Sequence, residues 1–503
     1  MPRRLARRAA RCLARRAARR LARRVPALAL LLALPLALLL AAGPAAAAET
    51  RGFVLTTDYS TGSLSVVDLA TRAVSPDVAP VHTDAVARWY EGLLYVVNRL
   101  GQDNIQVIDP AAGYATIRQF SVGNGTNPQD IAFVTPTRAY VSRLGSSDLL
   151  IVNPATGATL GSVSLAAFAD ADGNPEAARM IRVGPLLFVA LQRLANFQPT
   201  DTSLVAVVDT RADTVYDADP FLPGGQAVLL AGKNPVTTFA YDPVENRLLI
   251  GCVGHYGVLD GGIEAISLGA WGAPPPQAIQ STGLVITEAA LGGDVLDFAW
   301  QRPSALWPHH HYAIVSDASY DTRLVSWDDA THAVLGTLFD PGGFSLADCA
   351  LHDRGELYVC DNSFAAPGLF VFRAGADTLL AGPLDTGLPP QLVVFDDPRP
   401  EDDVAGVPVA RTDLSLSAPW PNPARDATRI ALSLAQSGMV RVEVLDVAGR
   451  RVRTLLEGVL PAGRTSAEWH CDRSGGVRVG SGVYLVRAAT ANATLTRRVV
   501  VLR

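Results

Sequence analysis

The sequence predicts an all-β protein, a circle of seven small antiparallel sheets followed by one small sandwich, and three observations predict it. An apolar strand running into a turn recurs seven times; aromatic residues are only 7% of the 503; and 43 glycines with 34 prolines suit short strands joined by many turns. At this length the chain has room for two to four domains, and with 18% charged and 49% apolar residues it can bury sizeable cores.

The first segment is an address. Residues 1–24 repeat Arg-Arg among Ala and Leu, residues 25–42 are apolar around Pro26 and Pro35, and AAGPAAAAET follows. Basic, apolar and small-residue stretches in that order read as a signal peptide over 1–48, cleaved after Ala46 or Ala48. The alternative is a retained anchor, since the apolar run is just long enough to span a bilayer. Eleven of the 43 basic residues fall within the first 24, and no acidic residue precedes Glu49. Beyond residue 48, 48 acidic groups face 32 basic ones, which argues against a nucleic-acid partner, because phosphates require a cationic surface.

The second segment, 49–396, carries the repeat. Its copies are VVDLATRAV from Val66, VIDPAAGYATI from Val107, IVNPATGATL from Ile151, VVDTRADTV from Val207, AISLGAW from Ala265, VSWDDATHAVL from Val325 and VFRAGADTLL from Val371. From the second copy on, each follows two more strands, such as DAVARWY and LLYVVN or ADCALH and ELYVCD. A lone sheet of this size has two apolar faces and two open edges, and packing the units radially covers both. The first copy lacks a leading strand and PQLVVFD at 390–396 is spare, so the last segment should complete the first unit and close a seven-bladed β-propeller. Copies spaced 56, 58 and 60 residues apart, against 41 to 46 elsewhere, place longer loops in units four to six, and loops of this kind carry ligands.

LYVVNRLGQDNIQVIDPAAG and RAYVSRLGSSDLLIVNPATG resemble the YVTN-type repeats of secreted bacterial propellers over residues 53–396. The Asp-Pro-x-x-Gly element is turn chemistry, so the resemblance implies a fold and not an activity. GCVGHYGVLDGGIEAI and ITEAALGGDV depart from the simplest repeats.

Residues 397–413 are acidic, Pro-containing and non-periodic, a linker. Beyond them, TRIALSL, VRVEVLD, RVRTLLE, RTSAEWH, GVYLVRAA and LTRRVVVL alternate apolar with polar residues and predict a sandwich of about seven strands. With PNP at 421–423, DVAGR at 446–450, Gly463, Trp469 and GSGVY at 480–484, residues 414–503 resemble the Ig-like domain of flagellar hook-capping type, which also serves as the type IX secretion sorting domain. The resemblance implies sorting by, or attachment through, a secretion machinery. His470-Cys471 stands where that family has Asp-Gly, which leaves Cys471 expected at the surface.

Candidate sites are few. Asp84, Asp130, Asp297 and Asp348 sit at the starts of first strands, which line a propeller's channel, and four carboxylates at one mouth suit Ca²⁺; the alternative is that each braces backbone. Asp170, Asp172, Asn174 and Glu176 alternate around Gly173 like half of a calcium loop, or form an ordinary polar turn. His309, His310 and His311 point to alternating faces if they lie in a strand, and so cannot all meet one metal. A hairpin turning at Arg354-Gly355 sets Cys349 opposite Cys360, a disulfide candidate whose alternative is two buried thiols. No nucleophile elbow, phosphate loop, dinucleotide fingerprint or zinc-helix motif occurs. The reading is an exported or cell-surface binding module for a protein, glycan or small ligand. Its alternatives are a metal-dependent propeller hydrolase and a structural adhesion component.

Overall fold

The computed structural model describes residues 51–200, 202–268, 278–301, 309–396 and, apart from short stretches, 414–502; the leader at 1–48 and the linker at 397–413 lie outside the described residues. The described chain is all-β, with antiparallel sheets mostly of four strands.

Among the described residues, 51–396 form seven larger sheets in chain order and one two-stranded hairpin, Leu194–Ala195 with Gln198–Pro199, inside a loop of the fourth. The first is assembled from both ends of this segment, in the order Val74–Val81, Gly62–Asp68, Arg51–Thr57, Pro390–Phe395. The next two run as meanders, from Ala85–Tyr90 through Leu93–Asn98 and Asn104–Asp109 to Ala115–Ser121, and from Pro128–Thr135 through Arg138–Arg143 and Asp148–Asn153 to Ala158–Ser164. The fourth comprises Ala177–Val183, Leu186–Leu191, Leu204–Asp209 and Thr214–Tyr216, with Val228–Leu229 added beside Leu204–Asp209. The fifth holds Ala240–Asp242, Arg247–Cys252, Gly262–Ser267 and Gln280–Thr287, and the sixth Asp294–Ala299, His311–Ser316, Thr322–Asp328 and Ala333–Phe339. The seventh runs Leu346–His352, Glu356–Asp361, Gly368–Arg373, Thr378–Leu384.

Why these sheets need one another is visible in their burial. Second strands such as Leu186–Leu191 and Glu356–Asp361 are buried along their whole length, and third strands such as Asn104–Asp109 all but at the end, so both faces are covered, whereas fourth strands such as Ala115–Ser121 are largely exposed. The cover comes from adjacent sheets: separate apolar clusters join the first sheet to the second, the second to the third, and so on to the sixth and seventh. Between seventh and first, Phe395 meets the rings of His352 and Tyr358 edge-on at 4.9 and 5.2 Å. The circuit is completed by Pro390–Phe395 pairing with Arg51–Thr57, Val54 opposite Val393, which is where the sequence places that segment.

Two local expectations are corrected. The hairpin after Cys349 turns through three residues, 353–355, with Gly355 at φ 73°, and not through two. The register therefore shifts by one: Cys349 faces Val359 and Cys360 faces Asp348, so the two thiols project from opposite faces, and both are free and buried. In the fifth sheet only residues 240–242 of TTFAYD form a strand, because the Thr237 hydroxyl takes the Gly251 N–H at 2.8 Å.

Residues 414–501 form two further sheets, Leu414–Leu416, Thr428–Leu434, Gly463–Trp469 and Arg451–Leu460, Gly438–Leu445, Gly482–Ala489, Thr494–Val501. They share one core, in which fully buried Trp469 meets Tyr484 edge-on at 5.2 Å and donates its indole N–H to the Asp472 carbonyl at 2.9 Å. Cys471, expected at the surface, is 2% exposed: its backbone is left-handed at φ 51°, and the side chain joins this core.

Candidate functional site

Antiparallel alternation gives the seven sheets two unlike ends. Loops from second to third strands, and the connections entering each first strand, gather at one end; turns from first to second and third to fourth strands gather at the other.

The acidic residues of the first strands lie toward the loop end, and three of them, Asp130, Asp297 and Asp348, reach an adjacent sheet. Asp130, fully buried, takes the Arg88 guanidinium through both oxygens, Nε to Oδ1 at 2.8 Å and Nη2 to Oδ2 at 2.6 Å, and its Oδ2 also accepts the Met180 N–H of the next sheet at 2.9 Å. Burial opposes its charge, yet Arg88 holds the carboxyl below its ordinary range. Asp297 accepts the Cys349 N–H and Asp348 the Val393 N–H, each at 2.9 Å and each from the following sheet. Burial raises Asp297 to about 6. Asp84 pairs with Arg99 Nε at 2.9 Å. In the fourth sheet Arg179 stands where Asp348 stands in the seventh, directly before a residue whose N–H is clasped by the preceding sheet. It donates to the Gln129 carbonyl at 3.3 Å, and burial beside Arg99 and Arg88 lowers it to about 10. The basic partners Arg88 and Arg179 escape sequence reasoning, because nothing local to DAVARWY or ARMIRV marks them as facing Asp130.

The other candidates are dispersed. Asp172 Oδ1 accepts the Asn174 N–H at 2.8 Å, while Glu176 Oε2 accepts that of Leu194 at 2.9 Å and is raised to about 7 by burial. At the turn end His309 and His311 flank Asp329, at 2.8 and 3.3 Å, whereas His310 reaches Asp377 of the seventh sheet at 2.9 Å, the alternation a strand imposes. Among the described residues no group of three or more His, Cys, Asp or Glu is placed to hold a metal ion. Burial pushes the thiols of Cys252, Cys349 and Cys360 well above their ordinary range, so none offers a thiolate at neutral pH.

The two segments that depart from the repeat meet. Within the loop 253–261, His255 donates its N–H to Asp260 Oδ1 and its Nδ1 lies 2.8 Å from Asp260 Oδ2. A Cβ on Gly254, at φ 59°, would collide with that same carboxylate. From the second segment, Asp294 Oδ2 accepts the Gly257 N–H at 2.6 Å and Glu288 Oε2 accepts that of Gly261 at 2.7 Å. Glu288 Oε1 accepts the Val295 N–H at 2.9 Å, and its burial outweighs these donors and raises the carboxyl to about 8. Held at three points, the loop turns Tyr256, Val258 and Leu259 outward, with Tyr256 52% exposed, and Tyr320 of the next sheet, 55% exposed, brings its hydroxyl beside Gly257. Around the same end Tyr59, Phe197 and Phe364 protrude from the corresponding loops, the first two 77% and 83% exposed. Tyr59, Phe197 and Tyr320 all have left-handed backbones, φ 67°, 61° and 64°, a conformation bulky residues avoid unless surrounding structure enforces it.

Residues 419–502 match the family model of the secretion system C-terminal sorting domain. No curated protein matches the chain. The fold is similar to several solved structures at low identity. PorZ, a surface component of the type-IX secretion system of Porphyromonas gingivalis, is 15% identical with a TM-score of 0.40, over 90% of this chain and 58% of that one; the chain thus spans less than two thirds of PorZ. A functionally unknown protein of Desulfotomaculum acetoxidans is 11% identical with a TM-score of 0.46, over 69% of this chain and 99% of that one. The Cps50 (Swd1) β-propeller domain of Myceliophteria thermophila is 11% identical with a TM-score of 0.46, over 62% and 93%. The sorting tail marks the protein as one sent by the type IX system to the cell surface or extracellular space.

Proposed function

We propose that the chain is a seven-bladed β-propeller followed by an Ig-like sorting domain, and that outside the cell it acts as a binding module through the loop end of the ring. The observation that carries this reading is the asymmetry of the two ends. At the loop end, large apolar side chains stand exposed on strained or pinned backbone, whereas at the turn end the left-handed residues Arg72, Asp213, His332 and Asp377 spend their side chains on neighbouring sheets. Exposed aromatic groups on rigid loops are costly in water unless a partner covers them. Asp130, Asp297 and Asp348, each engaged with an arginine or a backbone N–H of an adjacent sheet, serve to lock the sheets together and so keep the loops in position.

The test is a titration of labelled full chain onto envelope preparations of the producing bacterium. Saturable binding that is lost when Tyr59, Phe197, Tyr320 and Phe364 are all replaced by Ala, and kept in Val244→Ala at the turn end, supports the reading. Equal binding by both variants sinks it.

A further inference from the structure

Resting on that reading, we infer that the loop 253–261 together with Tyr320 is a preformed platform for an uncharged polysaccharide. The platform is built before any ligand arrives. Asp260, Asp294 and Glu288 each fix a different N–H of the loop, and the loop's base is tied to its neighbour by Gly254 N–H to the Lys233 carbonyl at 2.9 Å and Val253 N–H to the Asn234 carbonyl at 3.1 Å. A loop ordered in advance loses little freedom on binding.

The kind of occupant follows from shape, size and charge. Tyr256, Val258, Leu259 and Tyr320 are each about half exposed on a protruding tip, so they cannot enclose a small molecule, whose sites are concave and bury most of it. Together they offer roughly 400 Å² of surface, about half of what one side of a stable protein interface requires. That is instead the footprint of a short run of sugar rings, whose C–H faces stack on tyrosine rings while edge hydroxyls meet polar groups. Such groups stand alongside: the His255–Asp260 pair, and Asp317 with Ser319 on the Tyr320 loop. A polymer can also touch the separate rings of Tyr59, Phe197 and Phe364 in turn, without the continuous water-excluding centre that a protein partner needs. With acidic groups outnumbering basic ones 48 to 32 beyond residue 48, a polyanion is repelled, and the tip itself offers tyrosine and aliphatic side chains that pair with ring faces and not with a cation, so the polymer is uncharged.

The full chain is sedimented with insoluble cellulose and chitin and run through native gels containing starch, dextran or mannan, with alginate as an anionic control. Retention by at least one neutral polymer is expected. Tyr256→Ala with Tyr320→Ala should weaken it about tenfold, whereas Tyr256→Phe with Tyr320→Phe should keep it, because stacking needs the ring and not the hydroxyl. Lys233 is the only lysine, so amine labelling read at its own peptide, apart from the N-terminal amine, reports on the loop's base in the unmutated protein, and the retained polymer should slow it. The inference is overturned if no neutral polymer is retained, if only alginate is, or if the double Ala variant binds as well as the parent. Should no polymer bind while the rim variant still loses its envelope partner, the polysaccharide fails and the binding face stands.

Discussion

Glu288 shows how one buried carboxyl ties loop order to pH. Its carboxyl is raised to about 8 in the folded chain, against 4.5 for an ordinary glutamate, so the folded state holds the proton more tightly than the unfolded state does. Stability from this group is therefore complete below pH 4.5 and declines as pH rises through 8. Glu288→Gln removes the titration while preserving shape. One of its two N–H contacts then meets an amide N–H in place of an oxygen, a loss of roughly 1–3 kcal/mol at pH 5. The expected outcome, read by urea unfolding between pH 5 and 9, is that the variant starts less stable and the gap narrows as pH rises. A gap that stays constant shows that Glu288 does not carry the titration. Asp294 is pushed in the same direction by burial, so replacing Glu288 alone flattens the profile without abolishing it. None of this was legible in ITEAALGGDV, where Glu288 reads as an ordinary first-turn residue of the short helix Glu288–Leu291. Its role depends on Gly261, which lies a strand pair away.

At the scale of the turn, one position recurs with alternative solutions. Where the third strand turns into the fourth, the left-handed corner is Gly113 or Gly157 in the second and third sheets, but Arg72, Asp213, His332 or Asp377 in four others. Each of these four reaches the preceding sheet: Arg72 to Glu356 at 2.9 Å, Asp213 to Tyr140 and Arg138, His332 to the Val285 carbonyl, and Asp377 to His310 and Tyr312, both at 2.9 Å. A side chain there costs about 1 kcal/mol in backbone strain, and a buried hydrogen bond to a charged group returns about 1.5–3 kcal/mol. Asp377→Gly should therefore lower the thermal midpoint despite relieving strain; an unchanged or higher midpoint shows that the link is idle. The repeats were readable because apolar strands running into turns opened by Asp or Asn are local features, and the strands LLYVVN, RAYVSR, RLLIGC and ELYVCD fall where the pattern puts them. The Cys349 register was not, since two- and three-residue turns share the same Arg-Gly signature and differ by one residue in pairing. Alkylation of the denatured, unreduced chain should label both Cys349 and Cys360, and a mass two hydrogens lower at this pair counts against free thiols.

For the proposed ring as a whole, closure rests on one short strand supplied from 339 residues away along the chain, as Val54 opposite Val393 shows. Every other sheet of this segment is built from strands close together in sequence, but the first exists only if Pro390–Phe395 returns, so its pairing couples the two ends of the segment into one folding unit. Opposed residues of an antiparallel pair have Cα atoms about 4.5–5.5 Å apart, within the span a disulfide tolerates. Val54→Cys with Val393→Cys should thus crosslink on mild oxidation. Both side chains are buried, so each substitution costs about 1 kcal/mol in the reduced form. The crosslink closes a very long loop, which in the chain-entropy account is worth more than 4 kcal/mol against the unfolded state. The oxidised variant should then unfold at higher temperature than both its reduced form and the parent, with the crosslink identified by non-reducing peptide mapping. Crosslinking without stabilisation would mean that strain at the bridged pair offsets what the crosslink removes from the unfolded state. A folded variant that refuses to crosslink would place the last strand elsewhere, and with it the loop end on which the binding face depends.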